Sequence, residues 1–322
     1  MKKQFAIFSL LILSLISSVA IAQLPDRPIR FIVPFPPGGP SDLVGREVAN
    51  IMRDELKQTV VVENRPGANG VIGHGVLAKA PGDGYTFGLL VITVSIAPHL
   101  GNAPFDTFKD FTPITNAVSM TPVIVANKNL PVHSLKELVE YSKAHPDKLA
   151  YGTPGIATIP HLAAELFQSQ SHTQMLHVPF KGATQQIQDL IGGATQVDFQ
   201  SSLVVALPQI KAGNINALAV LSSKRSSQLP QVPTASESGY PQMVVAPWFG
   251  VGAPAGVPPA IIQKVYAALA KGLKSKEVQN RFENIGATVQ LSKSPAEFSA
   301  YIKSEYDRWG KVIKDANIQA SE

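Results

Sequence analysis

The chain has 322 residues, 45% of them hydrophobic, with a formal net charge of +5 and no cysteine. That length suits two domains of ordinary size, and the apolar content suffices for two cores. Without a thiol, disulfide staples, Cys-ligated metals and thiol catalysis are excluded, and the dispersed basic residues form no aromatic-interleaved patch of the kind that binds nucleic acid.

Residues 1–22 read as a secretory signal. Lys2 and Lys3 open it, 5–20 form the apolar stretch, and Ala20-Ile21-Ala22 has the small-x-small form of a cleavage site. The competing reading is a membrane anchor, because the stretch is almost long enough to span a bilayer. Cleavage would leave a chain that begins at Gln23, with no cysteine for a lipid anchor. It would remove two lysines and no acid, so the charge falls from +5 to +3.

The apolar run 29–33 predicts a strand. Leu43, Val44, Val48, Ile51, Met52 and Leu56 then share a helical face over 42–56, with Ser41 or Asp42 as N-cap. A strand over 60–62, a turn-rich loop over 64–70, a helix over 71–79 and a strand over 86–94 follow. This alternation argues for parallel βαβ units and an α/β fold. A strand is expected at 122–126, then a helix over 135–144, with Ser134 and Glu137 as a capping box. Next come a strand at 148–152, a helix at 161–168, a strand at 175–178 and a helix at 185–191, ended by Gly192-Gly193. Strands at 197–200 and 217–221 precede a polar stretch, 222–239. A strand at 247–254 returns to the first half, and helices over 258–274 and 295–317 close the chain. The plan is two βα lobes with two chain crossings.

Two Gly/Pro loops stand out. Pro34-Phe35-Pro36-Pro37-Gly38-Gly39-Pro40-Ser41-Asp42 follows the first strand. Tyr151-Gly152-Thr153-Pro154-Gly155-Ile156-Ala157-Thr158 follows a strand in the second lobe. Both open onto helices, whose first N–H groups have no intrahelical partner and favour an anion. In the first loop, Phe35 offers an apolar wall, and Pro37, Gly38 and Gly39 a stiff, closely approachable backbone; Asp42 reads as a cap. In the second, the candidates are the Thr153 and Thr158 hydroxyls and the N–H groups of Gly155, Ala157 and Thr158. The bland alternatives are a structural turn and a plain N-cap. Lys181, Gly182 and Ala183 form a third candidate loop, although an exposed lysine is the commoner fate. Thr93 and Ser95 are candidate hydroxyl donors from the first lobe.

Other patterns carry less. Gly73-His74-Gly75-Val76-Leu77-Ala78 has the form of a dinucleotide fingerprint but lies inside a helix, with no acidic residue about 20 positions on. Small residues for close packing explain it better. His161 and Glu165 share a helix face without a third ligand, so no metal is expected. No nucleophile elbow or phosphate loop is present. Trp248 and Phe249 read as hinge and core.

The chain resembles the substrate-binding proteins of tripartite tricarboxylate transporters, the Bug or TctC family. The resemblance lies in Pro28-Ile29-Arg30-Phe31-Ile32-Val33 with the first Gly loop, in Val61-Val62-Glu63-Asn64-Arg65-Pro66-Gly67-Ala68, and in Pro81-Gly82-Asp83-Gly84-Tyr85-Thr86. It continues through Tyr151-Gly152-Thr153-Pro154-Gly155, His161-Leu162, Lys181-Gly182, Ile210-Lys211-Ala212-Gly213 and the segment 248–254. It implies a monomeric periplasmic binding protein of the type II Venus-flytrap kind. Lobe one would span 23–123 and 246–322, and lobe two 124–245. The implied ligand is a small organic carboxylate, aliphatic or aromatic, delivered to a membrane permease without a cofactor, metal or catalytic step. Ser201 and Ser202 stand where many relatives carry an acidic residue, and this chain is one residue shorter there. They would be neutral ligand partners, which disfavours an amino acid. A receptor-kinase sensor, or a secreted enzyme acting on small acids, is the rival reading.

Overall fold

The computed structural model describes residues 27–101, 103–180 and 182–319. The expected signal segment and Lys181 lie outside the described residues.

The first segment runs β1 (Ile29–Val33), α1 (Pro40–Leu56), β2 (Val60–Asn64), α2 (Val71–Ala78), β3 (Thr86–Val91), the short α3 (Thr93–Ile96) and β4 (Phe111–Met120). The second runs β5 (Val123–Asn127), α4 (Leu135–Ala144), β6 (Ala150–Thr153), α5 (Ile159–Ser171), β7 (Leu176–Pro179), α6 (Ala183–Gly192), β8 (Val197–Gln200), α7 (Leu203–Lys211) and β9 (Ile215–Val220). The third runs β10 (Trp248–Pro254), α8 (Pro259–Leu273), α9 (Lys276–Asn284), β11 (Ala287–Val289) and α10 (Pro295–Asp315).

Two sheets result, ordered β11-β4-β10-β3-β1-β2 and β7-β6-β8-β5-β9. The chain passes to the second sheet between Met120 and Val123 and returns ahead of Trp248. The expected parallel βαβ units are present as β1-β2, β1-β3, β6-β7 and β6-β8, and antiparallel strands make both sheets mixed. β10 is antiparallel to both β3 and β4, and β5 to both β8 and β9. These are the strands at the crossings, and each enters its sheet against the local direction. β4, α7, α9 and β11 were not anticipated.

Each sheet packs its own apolar layer. α1 and α8 cover the first sheet with Val44, Val48, Met52, Val265 and Leu269. α6 and α7 cover the second with Ile187, Leu190, Leu203 and Ala206. A third cluster runs through both segments and includes Leu90, Ile124, Tyr151, Phe167, Trp248 and Trp309. α10 packs on β4 and α3 of the first lobe and on α5 of the second. Arg308 ties it to the return segment by donating to the Val244 and Gln242 carbonyls, each at 2.8 Å.

The close-packing explanation for 73–78 fits this structure. A Cβ on Gly73 would lie 2.6 Å from Pro34 Cα and 2.7 Å from the Arg65 carbonyl oxygen. α2 therefore sits directly against the first Gly/Pro loop.

Candidate functional site

A cavity of about 250 Å³ lies between the lobes. It is walled by Phe35, Pro40, Ser41, Asn69, Val91, Ile92, Thr93, Ile96 and Met120 from one side. Pro154, Thr158, Ile159, Pro160, Ser201 and Ser202 face them, with Pro247, Trp248 and Phe249 at the return. These described lining residues are all neutral. The starts of α1, α5 and α7 meet here, at Pro40-Ser41, Thr158-Ile159 and Ser202.

The first loop is held from behind. Proline occupies the first helical position of α1, so Gly39 is the N-cap rather than Ser41 or Asp42. Asp42 is buried and turns back into the loop. It accepts the Gly38 N–H at 2.9 Å, Arg46 Nε at 2.9 Å and Asn64 Nδ2 at 2.8 Å. Asn64 Nδ2 also donates to the Phe35 carbonyl at 3.0 Å. Burial pushes the Asp42 carboxyl up, but hydrogen bonds from Arg46, Gly38 and Asn64 outweigh it and hold it below the ordinary value. Gly38, at φ +82, thus spends its N–H inside the loop. Pro37, Gly38 and Gly39 do not line the cavity; Phe35 does, and so do Pro40 and Ser41.

The second loop is arranged differently from its sequence reading. Thr153 is fully buried, with Oγ1 3.1 Å from the Gly155 carbonyl and 2.7 Å from His177 Nε2. Thr158 donates its hydroxyl to the Gly155 carbonyl at 2.7 Å. Ala157, at φ +57, gives its N–H to His161 Nδ1 at 3.0 Å. Only Pro154 and Thr158 of this loop reach the cavity. The α5 donors that remain are the first N–H groups, Thr158 and Ile159, for which no acceptor occurs among the described residues.

Two further hydroxyls are also engaged. Thr93 lines the cavity but donates to the Asn69 carbonyl at 3.0 Å, and Ser95 is fully buried 3.4 Å from the Ile302 carbonyl. Ser95, Gly155, Ala157, Gly182 and Ala183 stand outside the cavity lining. The hydroxyls that line it without a partner among the described residues are Ser41, Ser201 and Ser202, joined by the Asn69 amide. Ser41 and Asn69 were missed. Ser41 read as a cap until Pro40 claimed the first turn, and Asn69, at φ +51, sits in a turn whose inward face the sequence does not reveal. Trp248 lines the cavity as well, with its indole N–H buried and unpartnered.

The cavity-facing helices also differ from two outward ones. Ser134 and Ser294 cap α4 and α10, accepting the Glu137 N–H at 3.2 Å and the Glu297 N–H at 3.1 Å. Gly39, Thr158 and Ser202 make no such side-chain bond. Their helices present unsatisfied N–H groups and the positive ends of their dipoles to one small cavity.

A two-lobed α/β chain with two crossings and a neutral, donor-lined cavity between lobes defines a solute receptor. The model of the tripartite tricarboxylate transporter family receptor, TctC, matches residues 44–318, and the chain belongs to this family. It is 37% identical over 307 residues to protein BugT of Bordetella pertussis, covering 94% of this chain and 93% of that one. The structure of the periplasmic binding protein BugD superposes with a TM-score of 0.75 at 34% identity, over 92% of this chain and 100% of that one. A structure of an R. palustris protein with adipate gives 0.79 at 32% identity, over 92% and 99%. The family is one of periplasmic receptors rather than enzymes.

Proposed function

We propose that this receptor captures a small organic carboxylate between its lobes and delivers it to a tripartite tricarboxylate-type permease. The observation that carries the reading is the set of unspent donors around one cavity. The Ser41 hydroxyl comes from the first lobe and those of Ser201 and Ser202 from the second, beside three uncapped helix starts. A carboxylate bridging them would stabilise the closed form, which is how a ligand shifts a two-state balance. Exclusion of water would strengthen each bond. The adipate held by a relative of this fold supports the ligand class.

Phe35, Val91, Ile92, Ile96, Met120 and Phe249 give the cavity a largely apolar wall. This favours a hydrocarbon or aromatic body over a densely charged tricarboxylate. The lobes divide as 23–123 with 246–322, and 124–245, and the matching split of the two sheets supports that division. The mature protein begins near Gln23, resides in the periplasm as a monomer, and acts by binding and closure with no chemical step.

The chain has two tryptophans. Trp248 lines the cavity, whereas Trp309 is buried in α10 with its Nε1 donating to Glu305 at 3.0 Å. Fluorescence titration with aliphatic and aromatic acids should therefore show a change lost in Trp248→Phe and retained in Trp309→Phe. No change with any acid, or one that survives Trp248→Phe, would refute the assignment of this cavity.

A further inference from the structure

Behind the 153–158 loop lies a ring cluster that ligand contact does not explain. His161 on α5 and His177 on β7 stack with centroids 4.1 Å apart and planes within 11°. Tyr151 on β6 lies nearly parallel to both, at 6.5 and 5.0 Å. Each histidine grips one end of the loop: His161 Nδ1 accepts the Ala157 N–H, and His177 Nε2 meets Thr153 Oγ1. Between these points the Gly155 carbonyl collects the Thr153 and Thr158 hydroxyls. The left-handed conformation of Ala157 costs energy for a residue with a Cβ, and the bond to His161 offsets it.

We propose that His161 and His177 are positioning residues, a stacked neutral pair that fixes the 153–158 loop in its cavity-lining shape. The inference rests on the carboxylate reading only for its binding readout.

The protonation state follows from the surroundings. Burial lowers the His161 ring to about 4. Burial also lowers His177 to about 4, as does a charge on His161, with Glu165 opposing. Glu165 faces the pair from α5, its Oε1 3.8 Å from His161 Nε2. That oxygen already accepts the Tyr151 hydroxyl at 2.6 Å and Gln168 Nε2 at 3.0 Å. From β8, Asp198 meets the Gly152 N–H instead of a ring. From α10, Asp307, Arg308 and Lys311 border a groove with Glu165 rather than with either histidine. At neutral pH the Nδ1 of His161 is thus an acceptor. Protonation would place a second donor opposite the Ala157 N–H, and the contact would break.

The test follows the Ala157 amide and the histidine rings by NMR across a pH titration of the ligand-free protein, and adipate binding by calorimetry near neutrality. The Ala157 amide shift should hold steady and then move with the His161 midpoint, well below the ordinary histidine value. His161→Phe keeps a ring but no acceptor. It should displace the Ala157 amide at every pH and weaken adipate about tenfold, or about 1.4 kcal/mol. His161→Asn restores an acceptor and should bring back both the amide position and most of the affinity while abolishing the titration. An Ala157 amide that ignores the His161 midpoint, or that is unmoved in His161→Phe, overturns the proposal, as does full adipate affinity in that variant. If His161→Phe does not fold, the wild-type titration and the Asn variant decide. If the wild type does not bind adipate, an acid that changes the Trp248 fluorescence replaces it in the calorimetry; if no acid binds, the ligand reading is what fails, and the amide measurements still judge the histidine pair.

Discussion

Asp42 shows how one side chain shapes a loop beside the cavity without lining the cavity itself. It satisfies the Gly38 N–H, the Arg46 guanidinium and the Asn64 amide together, with its own side chain almost completely buried. Asp42→Ala strands these donors, so it should cost about 1–3 kcal/mol in urea denaturation and loosen the loop. Unchanged stability would show that the network is dispensable. The serines should behave in the opposite way. Ser41→Ala or Ser202→Ala removes a hydroxyl with no partner in the described protein, so the unfolding midpoint should barely move. Ligand affinity should fall by about 0.5–1.5 kcal/mol, the net worth of one hydrogen bond. A loss of stability with intact affinity in the serine variants would reverse the roles assigned here.

At the scale of elements, the N-cap separates helices that build the fold from helices that serve the cavity. Ser134 and Ser294 satisfy their own helix starts, and Glu137 and Glu297 reach back one residue beyond the cap to the His133 and Lys293 N–H groups, a variant of the capping box. Ser134→Ala should therefore cost about 1 kcal/mol of stability and leave ligand affinity unchanged; weaker binding would refute the division. The Ser134 box was legible in the sequence because Ser and Glu three apart before an apolar run have few other uses. β1, β8 and the helix over 135–144 were legible for a similar reason: their patterns are local. β4 was not, because Pro113 and the polar Thr115, Asn116 and Ser119 break its pattern, and it is held between β10 and β11 by distant pairing. α7 was hidden by Pro208 inside the helix. Within the site, the loops were legible but their donors were not. Which hydroxyl is free depends on the carbonyl that folds back toward it, and sequence spacing does not specify that.

At the scale of the molecule, the buried His74 and His161 and the half-buried His177 tie stability to pH in both lobes. His74 on α2 is 1% exposed, packed edgewise on Phe105 and Phe111, with neither ring nitrogen in hydrogen-bond geometry. Burial lowers it to about 3, against a weaker upward pull from the Leu89 and Gly70 backbone. With His161 and His177 it remains neutral in the folded protein where the unfolded chain, near 6.5, already binds protons. Stability from these groups is therefore complete above about pH 6.5 and is lost as pH falls towards 4. The loss is about 1.4 kcal/mol per pH unit for a fully buried ring. Asp198 works in the opposite sense. It is fully buried, and burial raises its carboxyl despite hydrogen bonds from Gly152, Gln200 and Thr195. It holds a proton in the folded state from the ordinary carboxyl range upward, and as a single group it offsets at most one histidine. His74 and the stacked pair outnumber it, so the net slope remains positive. Because one apolar cluster and α10 run through both lobes, the loss should register as a single transition moving to lower temperature. Calorimetry of the ligand-free protein at successive pH values reads this directly. The melting temperature should fall steadily as pH drops below about 6.5, with a shallower fall in His74→Leu. A melting temperature that holds constant from there to about pH 4 would mean that the histidines are not buried neutral, and the loop-positioning role of His161 would fall with it.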